Sequence, residues 1–221
     1  MIAREGLIPI GVAGIAAMAV AYAAGAWWSL PLWALAAYFG HLFRESVAAV
    51  PNFPLAVLSP GNGRVVEVTK DRDPWLNRDA YRVRVALDGL GIGVLRSPVE
   101  GKIMDYWTSA QPFNKPRTLR ATGFSPNCYS TWVQTDEGDD IVFVVSSLRP
   151  ISRFKLSCAP GERIGIGQRS GFIYFGSIVD VFMPLGTRPE ADAGRAVVSG
   201  CSVLGHLVRQ PVASGDVVQA G

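Results

Sequence analysis

Apolar positions follow two different patterns along this chain. From Gly6 through Gly40 no Asp, Glu, Lys or Arg interrupts an almost continuous apolar run, whereas beyond Pro51 apolar residues come in short bursts punctuated by glycine and proline. The first run exceeds the roughly 20 helical residues that cross a bilayer core of about 30 Å, so the N-terminal part is membrane-attached. Leu7 to Trp28 is long enough to span, and a shorter apolar piece runs from Leu32 to Phe43. Pro31 predicts a break between them, because proline lacks an N–H and its ring clashes with the preceding turn. The pattern therefore predicts a short helical hairpin over residues 1–45. Such a hairpin returns Arg4 and Arg44 to one face and sets Trp27, Trp28 and Trp33 near an interface, which places the rest of the chain on the cytoplasmic side of the cell (inner) membrane. The alternatives are one spanning helix with an interfacial piece, or a cleaved signal sequence; the run is long for a signal and no small-residue cleavage site ends it.

Residues 46–221 read as one domain of ordinary size, mainly β. Gly63–Val68, Tyr81–Ala86, Ile141–Val145 and Phe172–Phe175 combine alternation with β-branched or aromatic side chains, as strands do. No long segment of helical period comes after the membrane part. Gly161-Glu162-Arg163-Ile164 with Gly167, and Gly215-Asp216-Val217-Val218 with Gly221, repeat a spacing found in the hairpin turns of lipoyl- and biotinyl-type β-sandwich modules, where glycine supplies positive φ. Neither repeat carries the lysine that a lipoyl or biotin carrier needs. The expected fold is a lipoyl-like, barrel-sandwich β domain behind a transmembrane hairpin.

Charge and cysteine narrow the chemistry. The net charge of +3 comes from scattered arginines with no basic stripe, which argues against nucleic acid and favours an anionic membrane surface. Cys128, Cys158 and Cys201 are far apart, and only His41 and His206 accompany them, so neither a zinc site nor a disulfide framework is indicated. Three buried, reduced cysteines are expected.

The most informative stretch is Gly171-Phe172-Ile173-Tyr174-Phe175-Gly176-Ser177-Ile178-Val179-Asp180-Val181. A hydroxyl directly after a glycine carbonyl, held in a strained turn, can attack its own peptide bond, since glycine has no side chain to obstruct the approach. A Gly-Ser pair between apolar runs is also an ordinary bulge or turn. Arg163 to Pro184 resembles the self-cleavage region of the phosphatidylserine decarboxylase family in its short bacterial and archaeal form. Phe43-Arg44-Glu45 is similar to that family's Phe-Arg-Asp junction between hairpin and β domain. The resemblance implies cleavage between Gly176 and Ser177, conversion of Ser177 to a pyruvoyl group, and decarboxylation of phosphatidylserine to phosphatidylethanolamine. The pyruvoyl carbonyl would take up the lipid amine and act as an electron sink.

Two further family signatures are recognisable but altered. The family's Ser-Pro-Ala-Asp-Gly-x-Val is similar to Ser59-Pro60-Gly61-Asn62-Gly63-Arg64-Val65, and its Val-His-Val-Asn-Arg-x-Pro to the stretch through Gly93-Val94-Leu95-Arg96-Ser97-Pro98. By resemblance, Asn62 stands where the family has the acid and Gly93 where it has the histidine that takes the serine proton. Asn cannot hold a negative charge and glycine offers no base. Asp180 is expected in the strand rather than as a substitute, and Asn62-Gly63 is also a deamidation-prone pair. His41, at the membrane junction, and His206, near the C-terminus, are not obvious replacements. The resemblance would let Arg96 and Arg153 meet a phosphate, with a structural arginine the even alternative; Asn127 departs from the family pattern around it. Two readings stay open: a pyruvoyl-dependent decarboxylase, or an uncleaved relative that binds phospholipid or pairs with a second copy or with an active family member.

Overall fold

The computed structural model describes residues 6–43, 53, 55–88, 92–108, 127–147, 153–176 and 178–208. Two helices come first, α1 (Leu7–Ala24) and α2 (Ala26–Leu42). The expected break at Pro31 is not there: Pro31 lies inside α2, and the chain turns at Gly25, with φ +95° and ψ +161°. A one-residue reversal needs positive φ, which glycine adopts freely and proline, locked near −65°, cannot. The hairpin expectation holds with shifted boundaries. α1 packs against α2, and the residues buried there are small, Ala13 and Ala17 on α1 and Ser29 and Ala36 on α2, so the backbones approach closely. The bulky side chains Ile8, Val12, Ile15, Met18, Trp27, Trp28 and Trp33 point outward. α1 is long and apolar enough to cross a membrane.

Fourteen strands come next among the described residues, and no further helix: β1 (Ala56–Leu58), β2 (Gly63–Asp73), β3 (Arg78–Leu87), β4 (Gly93–Arg96), β5 (Gly101–Thr108), β6 (Asn127–Gln134), β7 (Asp140–Ser147), β8 (Arg153–Leu156), β9 (Arg163–Ile164), β10 (Arg169–Tyr174), β11 (Ile178–Pro184), β12 (Thr187–Pro189), β13 (Ala196–Val197) and β14 (Val203–Leu207). All four runs read as strands are strands, each extended or shifted by a few residues. The main sheet has the order β13-β2-β3-β11-β7-β6-β5-β9, and two three-stranded sheets, β1-β14-β12 and β4-β10-β8, complete the domain.

One core draws on all three sheets: Val57 and Leu204 from one small sheet, Leu95 and Ile173 from the other, and Val83, Val85, Phe143, Val179 and Val181 from the main sheet. The main sheet therefore curls around a shared interior, as expected of a barrel-sandwich architecture. Its opposite face is also covered, by Phe182, Val142, Val144 and Cys128 under Trp75, Leu76 and Trp132. Period-2 alternation sends Val179 and Val181 into the first core and Asp180 and Phe182 to the second. Gly161 and Gly167 adopt φ of +91° and +67°, as their turn role required. The second repeat, Gly215 to Gly221, lies outside the described residues.

Two buried acids sit on this frame. Asp73 Oδ1 accepts from the Trp75 and Leu76 amides at 2.9 and 3.3 Å, closing the β2–β3 turn. Asp180 Oδ1 accepts from Arg84 Nε at 2.7 Å across the β11–β3 pair. Burial pushes both carboxyls above the ordinary carboxylate range, and their hydrogen bonds pull them only part of the way back. An acid with a raised folded pKa binds its proton more tightly folded than unfolded. Its contribution to stability is complete below about pH 4 and is lost as pH rises through the folded value. Asp180→Asn, which does not titrate, should accordingly gain stability relative to the parent as pH rises from about 4, measured by denaturant unfolding in detergent at stepped pH. A constant difference between the two would refute this.

Gly63 begins β2 opposite Leu87. A Cβ there would fall 1.9 Å from the Ala86 carbonyl oxygen, a backbone atom that cannot swing aside. Gly63→Ala should cost at least the ~1–3 kcal/mol typical of overpacking, seen as a lowered Tm.

Candidate active site

Strand β10 ends at Tyr174 in a small sheet and β11 begins at Ile178 in the main one, so the chain passes from one sheet to the other between these two strands. Ser177 itself lies outside the described residues. Phe175 has φ +58°, a left-handed conformation that costs a non-glycine residue of order 1–3 kcal/mol. Ser147 Oγ donates to the Phe175 carbonyl at 2.5 Å and so helps hold that conformation. Gly176 is enclosed: a Cβ on it would stand 2.2 Å from Ile173 Cδ1 and 3.0 Å from Leu87 Cδ1. A residue in a strained, left-handed conformation thus stands immediately before Gly176.

The two altered signatures converge on this crossing. Leu87, which touches Gly176, also closes on Gly61 from its other methyl, 2.5 Å from where a Cβ would be, and Gly61 in turn neighbours Val179. The Asp88 amide donates to the Asn62 carbonyl at 3.1 Å. The Asn62 side-chain oxygen is engaged, accepting from the Ser199 amide at 2.7 Å, while Ser199 Oγ donates to the Pro60 carbonyl. Gly93 pairs with Ile173 across β4 and β10. Ile173 and Leu95 lie in the shared core, so by alternation the missing side chain of Gly93 belongs to that same face. A Cβ on Gly93 would meet nothing within 4 Å. The segments carrying positions 62, 93 and 176 therefore meet around Leu87 and Ile173.

Other residues singled out from sequence have different duties. Arg96 Nη1 donates to the Gly167 carbonyl at 2.9 Å and its stem packs on Gly200, a structural engagement. Arg153 is exposed on β8. Asp180 is held by Arg84. His206 faces Glu190 at 3.6 Å and the edge of Phe53, and His41 is exposed in the last turn of α2. Asn127 starts β6 opposite Ser147. The cysteines are not joined in disulfides, and only Cys128 is buried, whereas Cys158 and Cys201 are half-buried in turns, which corrects the expectation of three buried thiols. Burial pushes the Cys128 and Cys158 thiols up, away from the reactive thiolate. Among the described residues no cluster of His, Cys, Asp or Glu could hold a metal.

The contact that ties this site to the N-terminal helical hairpin could not be read from the chain. Phe43, at the end of α2, stacks on Phe172 of β10 with ring centroids 6.1 Å apart, and Phe172 meets Tyr174 edge-on at 4.8 Å. Phe39, Ile92 and Val94 complete the cluster. The helix end thus rests on the outer face of β4 and β10, the strands whose inner face carries Gly93 and Ile173. Ser147 and Leu87 were likewise missed, since nothing in an apolar strand marks the residue that will abut a turn distant in sequence.

Comparison with known proteins gives the family. Residues 35–205 match the phosphatidylserine decarboxylase family. A phosphatidylserine decarboxylase proenzyme of Nitrosomonas europaea is 37% identical over 207 residues, 94% of this chain and 95% of the relative. Those of Nitrosomonas eutropha and Aromatoleum aromaticum are 36% and 32% identical, with 94% of this chain covered in each case. With signatures, fold and near full-length similarity in agreement, the chain belongs to the phosphatidylserine decarboxylase family.

Proposed function

We propose that this chain is a membrane-anchored proenzyme that cleaves itself between Gly176 and Ser177 and decarboxylates phosphatidylserine to phosphatidylethanolamine. The observation that carries the reading is the left-handed Phe175 immediately before Gly176, at a crossing packed against the end of an apolar hairpin. Strain stored before the scissile bond lowers the barrier to acyl transfer onto the Ser177 hydroxyl, and Ser147 holds the Phe175 carbonyl so that the turn cannot relax. Gly93 leaves its strand open at this point, since a Cβ there would meet nothing within 4 Å. A pyruvoyl group formed from Ser177 supplies the electron sink for loss of carbon dioxide. The hairpin keeps the site at headgroup depth and raises the local concentration of lipid. The β domain faces the cytoplasm, and phosphatidylserine is the partner lipid.

One observation favours a second reading. The Asn62 oxygen is spent on the Ser199 amide and Gly93 has no side chain, so neither supplies the proton acceptor that cleavage needs. An uncleaved, lipid-binding relative, or a subunit paired with a second copy or with an active family member, has the same fold. Intact mass of the detergent-purified protein separates the two. Fragments 1–176 and 177–221, the latter with a pyruvoyl N-terminus, support the enzyme; a full-length chain with Ser177 unchanged, also after co-expression with a complete family member, sinks it.

A further inference from the structure

Among the described residues the main sheet and the sheet β4-β10-β8 are not paired with each other. Beyond Lys102, β5 is paired only with β6, and β8 is paired only with β10 among the described strands. Between these two edges lies a pocket of about 100 Å³ whose lining comprises the polar Ser130 and Thr108 together with Tyr106, Trp107, Tyr129, Phe154 and Leu156. It is small beside the ~300–1,000 Å³ of ordinary ligand sites and its surface is mostly apolar, so it suits a length of hydrocarbon rather than a headgroup.

Its position relates it to the crossing. Val179, Val145, Tyr129 and Thr108 lie on one rung of the main sheet. At about 4.8 Å per strand, Tyr129 is roughly 10 Å and Thr108 roughly 14 Å from Val179, near the end of the sheet where Gly176 lies. The pocket is also one strand away from the docked helix. Phe172 and Tyr174, which face Phe43, pair with Lys155 and Arg153 of β8. Strand β8 thus alternates, with exposed cations Arg153 and Lys155 on the side of the hairpin end and Phe154 and Leu156 turned to the pocket. Cations set beside an apolar slot next to a membrane anchor complement a phospholipid, with phosphate outside and hydrocarbon within.

We infer that the seam between β5 and β8 receives an acyl chain of the phospholipid whose headgroup reaches Gly176-Ser177, an inference that rests on the proposed lipid substrate. The chain would be drawn partly out of the bilayer, with the Arg153 and Lys155 side chains meeting phosphate at the surface.

The test uses the full-length protein in dioleoylphosphatidylcholine vesicles containing phosphatidylserine with a diazirine near the end of one acyl chain. After irradiation, labelled peptides are mapped by mass spectrometry. Label is expected on peptides containing Tyr106–Thr108, Tyr129 and Phe154–Leu156 as well as on residues 7–42. Leu156→Gln should cut the former several-fold and leave the hairpin label unchanged. Label confined to the hairpin of the parent protein overturns the inference whether or not the variant folds, as does pocket label that Leu156→Gln leaves untouched. A phosphatidylcholine probe labelling the same pocket peptides equally would uphold the acyl slot and remove phosphatidylserine as its preferred lipid, which separates this inference from the proposed function.

Discussion

Restoring both altered positions, Asn62→Asp together with Gly93→His, should speed conversion of the full-length chain to fragments 1–176 and 177–221 by roughly 10²–10⁴-fold, the usual worth of a positioned base. The fold has room for both changes. A carboxylate at 62 can accept from the Ser199 amide just as the Asn62 oxygen does at 2.7 Å, and a Cβ at 93 meets nothing within 4 Å. From β4 an imidazole would project to the face that carries Ile173, whose Cδ1 closes on Gly176. The acid and base act as a unit, so Asn62→Asp alone should change the rate little and Gly93→His alone by less than the pair. Time-resolved intact mass gives the rates, with Ser177→Ala as the silent control. An unchanged rate in a folded double variant would show that this chain recruits its proton acceptor elsewhere.

Arg84→Met should destabilise the β domain by about 3–5 kcal/mol, the range for removing one partner from a buried ion pair. Asp180 is fully buried between Arg84 and Val144, and the next nearest cation, Arg82, stands 4.0 Å away. Without Arg84 the Asp180 carboxyl, already above its usual range through burial, moves further up and takes a proton. The penalty should therefore shrink as pH falls toward 5. Arg84→Met with Asp180→Leu should recover most of the loss, because two apolar residues leave no orphaned charge. Denaturant unfolding of the three variants at two pH values decides it. A pH-independent loss, or no rescue, would mean that Arg84 acts through packing of its stem alone.

The two predictions draw on different kinds of legibility. Asp180 was readable as a strand residue because Ile178-Val179-Asp180-Val181 is β-branched and alternating, but its partner was not: Arg82 and Arg84 lie nearly a hundred positions earlier in another such strand. Only the register of β11 on β3 selects Arg84. The hairpin was legible from the absence of charge over Gly6 to Gly40, yet its turn was misplaced. Local propensity singles out Pro31, whereas the reversal that lets Ala13 and Ala17 meet α2 needs positive φ at Gly25. The cysteines, uniform by composition, divide by where the chain bends.

By itself the sequence determined what is local or written in residue type. An uncharged run must leave water, alternating β-branched runs form strands, Gly176-Ser177 sets a hydroxyl beside an unobstructed carbonyl, and Asn62 and Gly93 cannot act as acid and base. Tertiary structure alone decided what depends on contact between distant segments. It set the left-handed turn at Phe175 against Ser147, brought Gly61, Gly93 and Gly176 together around Leu87 and Ile173, docked Phe43 on Phe172, and left the seam between β5 and β8. The physical reason is that strand order and register are selected by the burial of whole faces at once, a property that no single window of the chain contains.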